Sequence, residues 1–188
     1  DGTESTLDDE MLMTNDAENP VAVAGVMGGQ NSEIEPDTKT IVIESANFAA
    51  NSVRTTSKRL VLRTEASGRY DKGIDPNLCE RAADRVCELI ELIGAGTVVG
   101  GSVDVYPEVA EPKTVHARVS RINHVLGIEL ARNQMVDYLE SLEMIVKGDG
   151  DDLYVTAPTV RQDIEIEEDI VEEIARLYGY DNLPVTIP

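Results

Sequence analysis

Tryptophan is absent from this 188-residue chain and phenylalanine occurs once, so whatever core it buries rests on aliphatic side chains and a few tyrosines. Cysteine is scarce as well. Cys79 and Cys87 are eight positions apart on one expected helix, a separation of about 12 Å along the axis that no disulfide spans. They read as reduced thiols of a cytoplasmic protein. No run of about 20 apolar residues is present, which argues against a membrane-spanning helix, and no signal-like segment argues for export. Positive charge is thin: 16 Lys and Arg stand against 36 Asp and Glu, a net charge of −20. Phosphate backbones are held by clustered Lys and Arg, so broad binding to nucleic acid is disfavoured and DNA is not an expected partner. The chain opens on Asp1 rather than Met and reaches Pro188 through a Pro-bearing exit, which reads as a piece of a longer protein.

Hydrophobic residues make up 41 % of the sequence, enough for one large or two small globular domains. The expected class is α+β: a mixed or antiparallel-sheet domain with packed helices over residues 1–110, then a small α+β domain with a hairpin over 111–188. Met11 to Met13 suggests a short strand, followed by an Asn15–Pro20 turn. Val21 to Val26 is a β-rich run leaving through Gly28 and Gly29, a tight turn or a close backbone approach. Thr40 to Ala46 reads as a central strand because both parities are apolar. Phe48 to Leu62 reads as a helix bearing Arg54, Lys58 and Arg59; with Arg63 these form the one dense basic patch, a candidate for RNA contact or plain charge balance. Residues 64–76 read as a loop. Asp75 and Pro76 then launch a helix to about Ile93 whose buried stripe is Leu78, Ala82, Val86, Leu89 and Ile93. Val98 to Tyr106 follows as a strand.

A Pro-bearing acidic linker, residues 107–113, separates this from a second pattern. Thr114 to Val119 is expected as a strand, Ser120 as cap of a short helix ending at Gly127, and Ala131 to Leu142 as an amphipathic helix. Met144–Lys147 and Leu153–Thr156 suggest a hairpin around residues 148–152, whose acids lack EF-hand spacing. The order resembles a winged-helix-like module. His116 and His124 read as structural.

The densest feature lies at the end. From Asp163 to Glu173 seven carboxylates occur with no basic residue, while Ile166, Ile170, Ile174 and Leu177 recur at helical spacing. Asp163 reads as the cap and Gly179 as the stop. Asp169, Glu172 and Glu173, at i, i+3 and i+4, converge on one patch. Carboxylates so close either form a solvated acidic face or are relieved by a hard cation such as magnesium. Spacing alone does not separate the two.

The run from Arg161 to Pro184, RQDIEIEEDIVEEIARLYGYDNLP, resembles the RxDIxxEEDLVEExARxYGYxxIP run of the β-subunit of bacterial phenylalanyl-tRNA synthetases. Val23–Gly29 (VAGVMGG) and Arg63–Pro76 (RTEASGRYDKGIDP) are similar to further motifs of that family, in its order. The resemblance implies a tRNA editing domain over residues 1–110 and places Asp163, Asp169, Glu172 and Glu173 on a magnesium ion shared with an α-subunit. It also implies an α2β2 heterotetramer, tRNA as substrate and ATP used by the full enzyme rather than by this region. Editing here means hydrolysis of tyrosine wrongly joined to the phenylalanine tRNA. A site for phenylalanine rejects an added hydroxyl weakly, so a second pocket must recognise that hydroxyl. The family's pocket glycine matches Gly73. Its hydroxyl-binding glutamate aligns with Asp84, one methylene shorter, and a histidine of some members is replaced at Ala17. Those departures leave a noncatalytic interaction or assembly module as the alternative reading.

Overall fold

The computed structural model describes residues 2–185, and they form an α+β structure. The chain divides into two compact units, the first ending at Val109 and the second beginning at Ala110.

In the first unit β1 (Met13–Asn15), β2 (Pro20–Val23) and β3 (Met27–Gly28) form a small antiparallel sheet in sequential order. The β1–β2 turn is held by Asp16, whose Oδ1 accepts from the N–H groups of Glu18 and Asn19, both at 2.7 Å. Gly25, at φ +69°, turns the chain between β2 and β3; a Cβ there would meet Phe48 and Val53 at 3.0 Å and Tyr70 at 3.2 Å. The turn thus needs glycine both for its backbone and for the packing against it. Helix α1 (Ala50–Arg59) buries Val53 and Thr56, and α2 (Glu65–Tyr70) begins at a capping box in which Thr64 and Ser67 exchange side-chain and backbone bonds. Residues 64–76, expected as loop, therefore contain a helix; the Thr-x-x-Ser cap is the signal for it. Between the helices Val61 has φ 51°, an unusual conformation for a β-branched residue.

Asp75 caps as expected, accepting from Asn77 N–H at 3.0 Å, and a short 3-10 turn leads into α3 (Cys79–Leu92). The expected stripe is not buried. Val86 is 42 % and Ile93 74 % exposed, and no residue of α3 is fully buried. Its half-buried positions are Cys79, Ala83, Cys87 and Ile90, a face rotated from the one hydrophobicity suggests, and the two cysteines are unbridged. Thr40–Ala46 and Val98–Tyr106 are likewise not strands. Val42 and Val103 are 95 % and 94 % exposed. An extended apolar run becomes a strand only when a neighbour accepts its ladder bonds, and no sheet among the described residues does so for either. The first of them is instead pinned by side chains: Ser45 Oγ donates to Cys79 O at 2.7 Å, and Tyr70 OH donates to Ala46 O at 3.0 Å.

The second unit has the larger core. Its antiparallel sheet, ordered β4-β6-β5, comprises β4 (Thr114–Arg118), β5 (Ile145–Lys147) and β6 (Asp152–Thr156). The hairpin forms as expected, with Val146 opposite Val155. Alternation turns Val115, Ala117, Leu153 and Val155 inward, where α4 (Val119–Leu126), α5 (Arg132–Ser141) and α6 (Glu167–Tyr178) supply Ile122, Met135, Leu139, Ile170 and Ile174. The outward face carries His116, stacked on Tyr154 at 4.9 Å and bonded through Nε2 to Asp152 at 2.7 Å, a structural setting. Ser120 does not cap α4. Asp151, from the hairpin turn, accepts from Ser120 N–H and Oγ–H, both at 2.7 Å, and so caps the helix from a distance. Those two donors hold the Asp151 carboxyl below its ordinary range. Gly127, at φ +67°, stops α4 in the left-handed conformation.

Candidate functional site

The acidic helix is organised by an arginine that precedes it. Residues 158–166 cross from β6 to α6, with Ile164 only 1 % exposed and inserted in the core as their anchor. This fixes Arg161 on one side of the anchor and Asp163 on the other. Arg161 donates from Nε to Asp163 Oδ1 at 2.9 Å and from Nη2 to Asp163 Oδ2 at 2.5 Å. The same guanidinium reaches Glu173, with Nη2–Oε1 at 3.0 Å and Nη1–Oε2 at 3.3 Å. Arg176, one turn beyond, donates to Glu173 Oε2 at 2.5 Å. Glu173 is one of few buried charged residues, its side chain 8 % exposed. Burial raises its pKa, but the two guanidiniums outweigh that and leave it below the usual carboxylate range. The hydrogen bonds from Arg161 lower that of Asp163, while Asp163 and then Glu173 raise that of Arg161.

Asp163 is not the cap of α6. The helix starts at Glu167 with Ile166 as its N-cap, and Asp169 in the first turn accepts from Glu165 N–H at 2.8 Å and Ile166 N–H at 2.9 Å. Ile166 lies outside the buried stripe, 56 % exposed; Ile170, Val171, Ile174 and Ala175 form it instead. Glu167, Glu168 and Asp169 occupy the first turn, where the helix dipole favours negative charge. Glu167 is further tied to Arg118 through both carboxylate oxygens. Glu172 is exposed. Among the described residues no three His, Cys, Asp or Glu side chains stand together as a metal site. The four acids do not, as placed in this chain, fit a magnesium ion: two are committed to Arg161 and a third to backbone N–H groups.

In the first unit, Gly73 ends the turn after α2 at φ 86°, its N–H donating to Tyr70 O at 3.0 Å. Asp84 is exposed on α3, in an open groove of about 620 Å³ lined by Leu78, Arg81, Ala82, Asp84, Arg85 and Glu88. Gly73 is not in that lining, so the groove does not join the two residues. Of the basic patch, Arg59 is held by Asp8 and Glu10 and Arg54 by Asp71 O. The residues that composition did not reveal are Arg161 and Asp151. Each acts through a partner distant in sequence or across a turn, and the one available signal was Arg161 standing two places before Asp163.

Sequence comparison fits this two-part layout. A B3/4 domain matches residues 1–95, and a tRNA synthetase B5 domain matches residues 115–180. The chain belongs to the B3/4 domain family and carries a tRNA synthetase B5 domain after it. The particular protein that it resembles over its whole length is the phenylalanine–tRNA ligase beta subunit. That of Clostridium acetobutylicum is 46 % identical over 186 residues, covering 99 % of this chain and 24 % of the relative. That of Moorella thermoacetica is 48 % identical over 188 residues, covering 100 % of this chain and 23 % of the relative. The chain thus spans about a quarter of the length of these relatives and corresponds to their B3/4–B5 segment. Matches of this kind do not favour a generic interaction module. No helix of the described residues is long and apolar enough to cross a membrane.

Proposed function

We propose that this segment serves a phenylalanine–tRNA ligase in two ways: its first unit hydrolyses tyrosine misattached to the phenylalanine tRNA, and its second supports assembly with an α-subunit in an α2β2 enzyme of the cytoplasm. The observation that carries the reading is the match of both domains, in order and along the whole chain, to ligase beta subunits. Gly73 and Asp84 are the proposed pocket residues. Gly73 supports this as a positive-φ turn that keeps backbone free of a side chain beside α3. Asp84 supports it as an exposed carboxylate on the adjoining helix, available to accept from a substrate hydroxyl. With alanine at position 17, no histidine there can act as base, and hydrolysis rests on positioned water or the ribose hydroxyl.

Magnesium shared with the α-subunit through Asp163, Asp169, Glu172 and Glu173, and ATP used by the full enzyme, belong to the same proposal as what the resemblance implies. The chain's own geometry supplies no formed site for the ion, and no step of the hydrolysis passes through it.

The experiment is deacylation of Tyr-tRNA specific for phenylalanine by the assembled enzyme. Asp84→Ala should lower the rate about tenfold or more without changing the melting curve, because the side chain is exposed and a lost substrate hydrogen bond costs on the order of 1.4 kcal/mol or more. Gly73→Trp should abolish it. Unchanged deacylation in both variants would reject the editing role.

A further inference from the structure

The resemblance gives the acidic face to a metal ion, whereas the structure gives it to arginine. All four carboxylate oxygens of Asp163 and Glu173 accept hydrogen bonds from Arg161: Oδ1 and Oδ2 at 2.9 and 2.5 Å, Oε1 and Oε2 at 3.0 and 3.3 Å. Arg161 is itself only 23 % exposed, so this is not a loose surface pair. A planar guanidinium satisfies two carboxylates at once, which a point charge such as lysine does not. A small divalent cation makes the opposite demand, since it needs oxygens turned toward one centre in near-octahedral array. The two occupants cannot share the same pair of carboxylates.

We propose that Arg161 is the resident counter-ion of the acidic face, and that a divalent cation reaches Asp163 and Glu173 only when Arg161 turns away from them. The proposal rests on the reading that this face accepts a cation at all. Its geometric basis is that Ile164 anchors the crossing segment, leaving the Arg161 side chain to move without unseating the helix. Arg176 remains on Glu173 Oε2 when Arg161 leaves, so the buried carboxylate is never stripped of both partners. Arg161 is in this sense a positioning residue: it keeps the carboxylates ordered and occupied in the unassembled chain, and its release converts an internal ion-pair chain into open ligands.

The test is manganese titration of the 188-residue chain, followed by electron paramagnetic resonance of the free ion, on wild type and Arg161→Gln. Wild type should bind weakly and Arg161→Gln at least about tenfold tighter, with circular dichroism confirming that the variant is folded. Equal affinity in the two would overturn the gate while leaving the cation reading in place. Binding by neither would remove the cation reading and the gate together. Wild type supplies an independent check that does not depend on a variant folding. Hydrogen exchange at Arg161 Nε–H, protected by Asp163 in the free chain, should quicken when magnesium saturates the site. Protection that persists with the ion bound would overturn the proposal.

Discussion

Replacing Glu173 by Gln tests the electrostatic organisation of α6 directly. The substitution keeps the shape of the side chain and one carbonyl acceptor but removes the charge that faces Arg161 and Arg176. A hydrogen bond to a charged group contributes about 1.5–3 kcal/mol, and breaking a fully desolvated pair costs about 3–5 kcal/mol. Neither arginine is fully desolvated, their side chains being 23 % and 46 % exposed, so water screens the survivors. The expected loss is therefore at the low end, about 2 kcal/mol. In urea unfolding followed by far-ultraviolet circular dichroism, a slope of about 1–2 kcal/mol per molar moves the midpoint down by about 1–2 M. The pH dependence gives a second signature. Despite burial, the two guanidiniums hold Glu173 below its ordinary pKa, so its contribution is fully present above the unfolded-state value of about 4.3 and is lost as pH falls through the folded-state value. Wild type and Glu173→Gln should then converge in stability between about pH 5 and pH 2. A loss under about 0.5 kcal/mol, the level of an ordinary surface change, or a difference that stays constant with falling pH, would refute the reasoning.

Two further substitutions probe each unit separately. Gly25→Ala must place a Cβ 3.0 Å from Phe48 and Val53 at φ +69°; a melting temperature lowered by an amount equivalent to about 2 kcal/mol is expected for the first unit, and an unchanged one would contradict the packing argument. Asp169→Ala removes the acceptor of the Glu165 and Ile166 N–H groups, and should cost about 1 kcal/mol in denaturant unfolding, with Asp169→Asn close to wild type.

Much of the second unit was legible in its sequence because its signals are local. Strand alternation at 114–118 and 152–156, the stop at Gly127 and the apolar period of Ile170 and Ile174 each depend on a few adjacent residues, and each appears in the fold. The acidic run was equally plain. What its carboxylates do was not, because Asp163 and Glu173 are ten positions apart and meet only through Arg161, which the crossing segment brings across once Ile164 is buried. The reading of Asp163 as cap failed for a related reason: Asp, Glu and Ile at 163–168 all tolerate a helix start, and the choice fell where Asp169 could satisfy the N–H groups of Glu165 and Ile166.

The first unit marks the other limit. Composition alone determined an α+β chain with an aliphatic core, unbridged cysteines and a surface hostile to indiscriminate phosphate binding, since these follow from residue counts and local spacing. Whether Thr40–Ala46 and Val98–Tyr106 become strands, which face of α3 is covered, and whether four carboxylates face a cation or an arginine were decided only in three dimensions. A β-ladder, a buried face and an ion pair each need a partner from elsewhere in the chain, and the free energy of each exists only once that partner is in place.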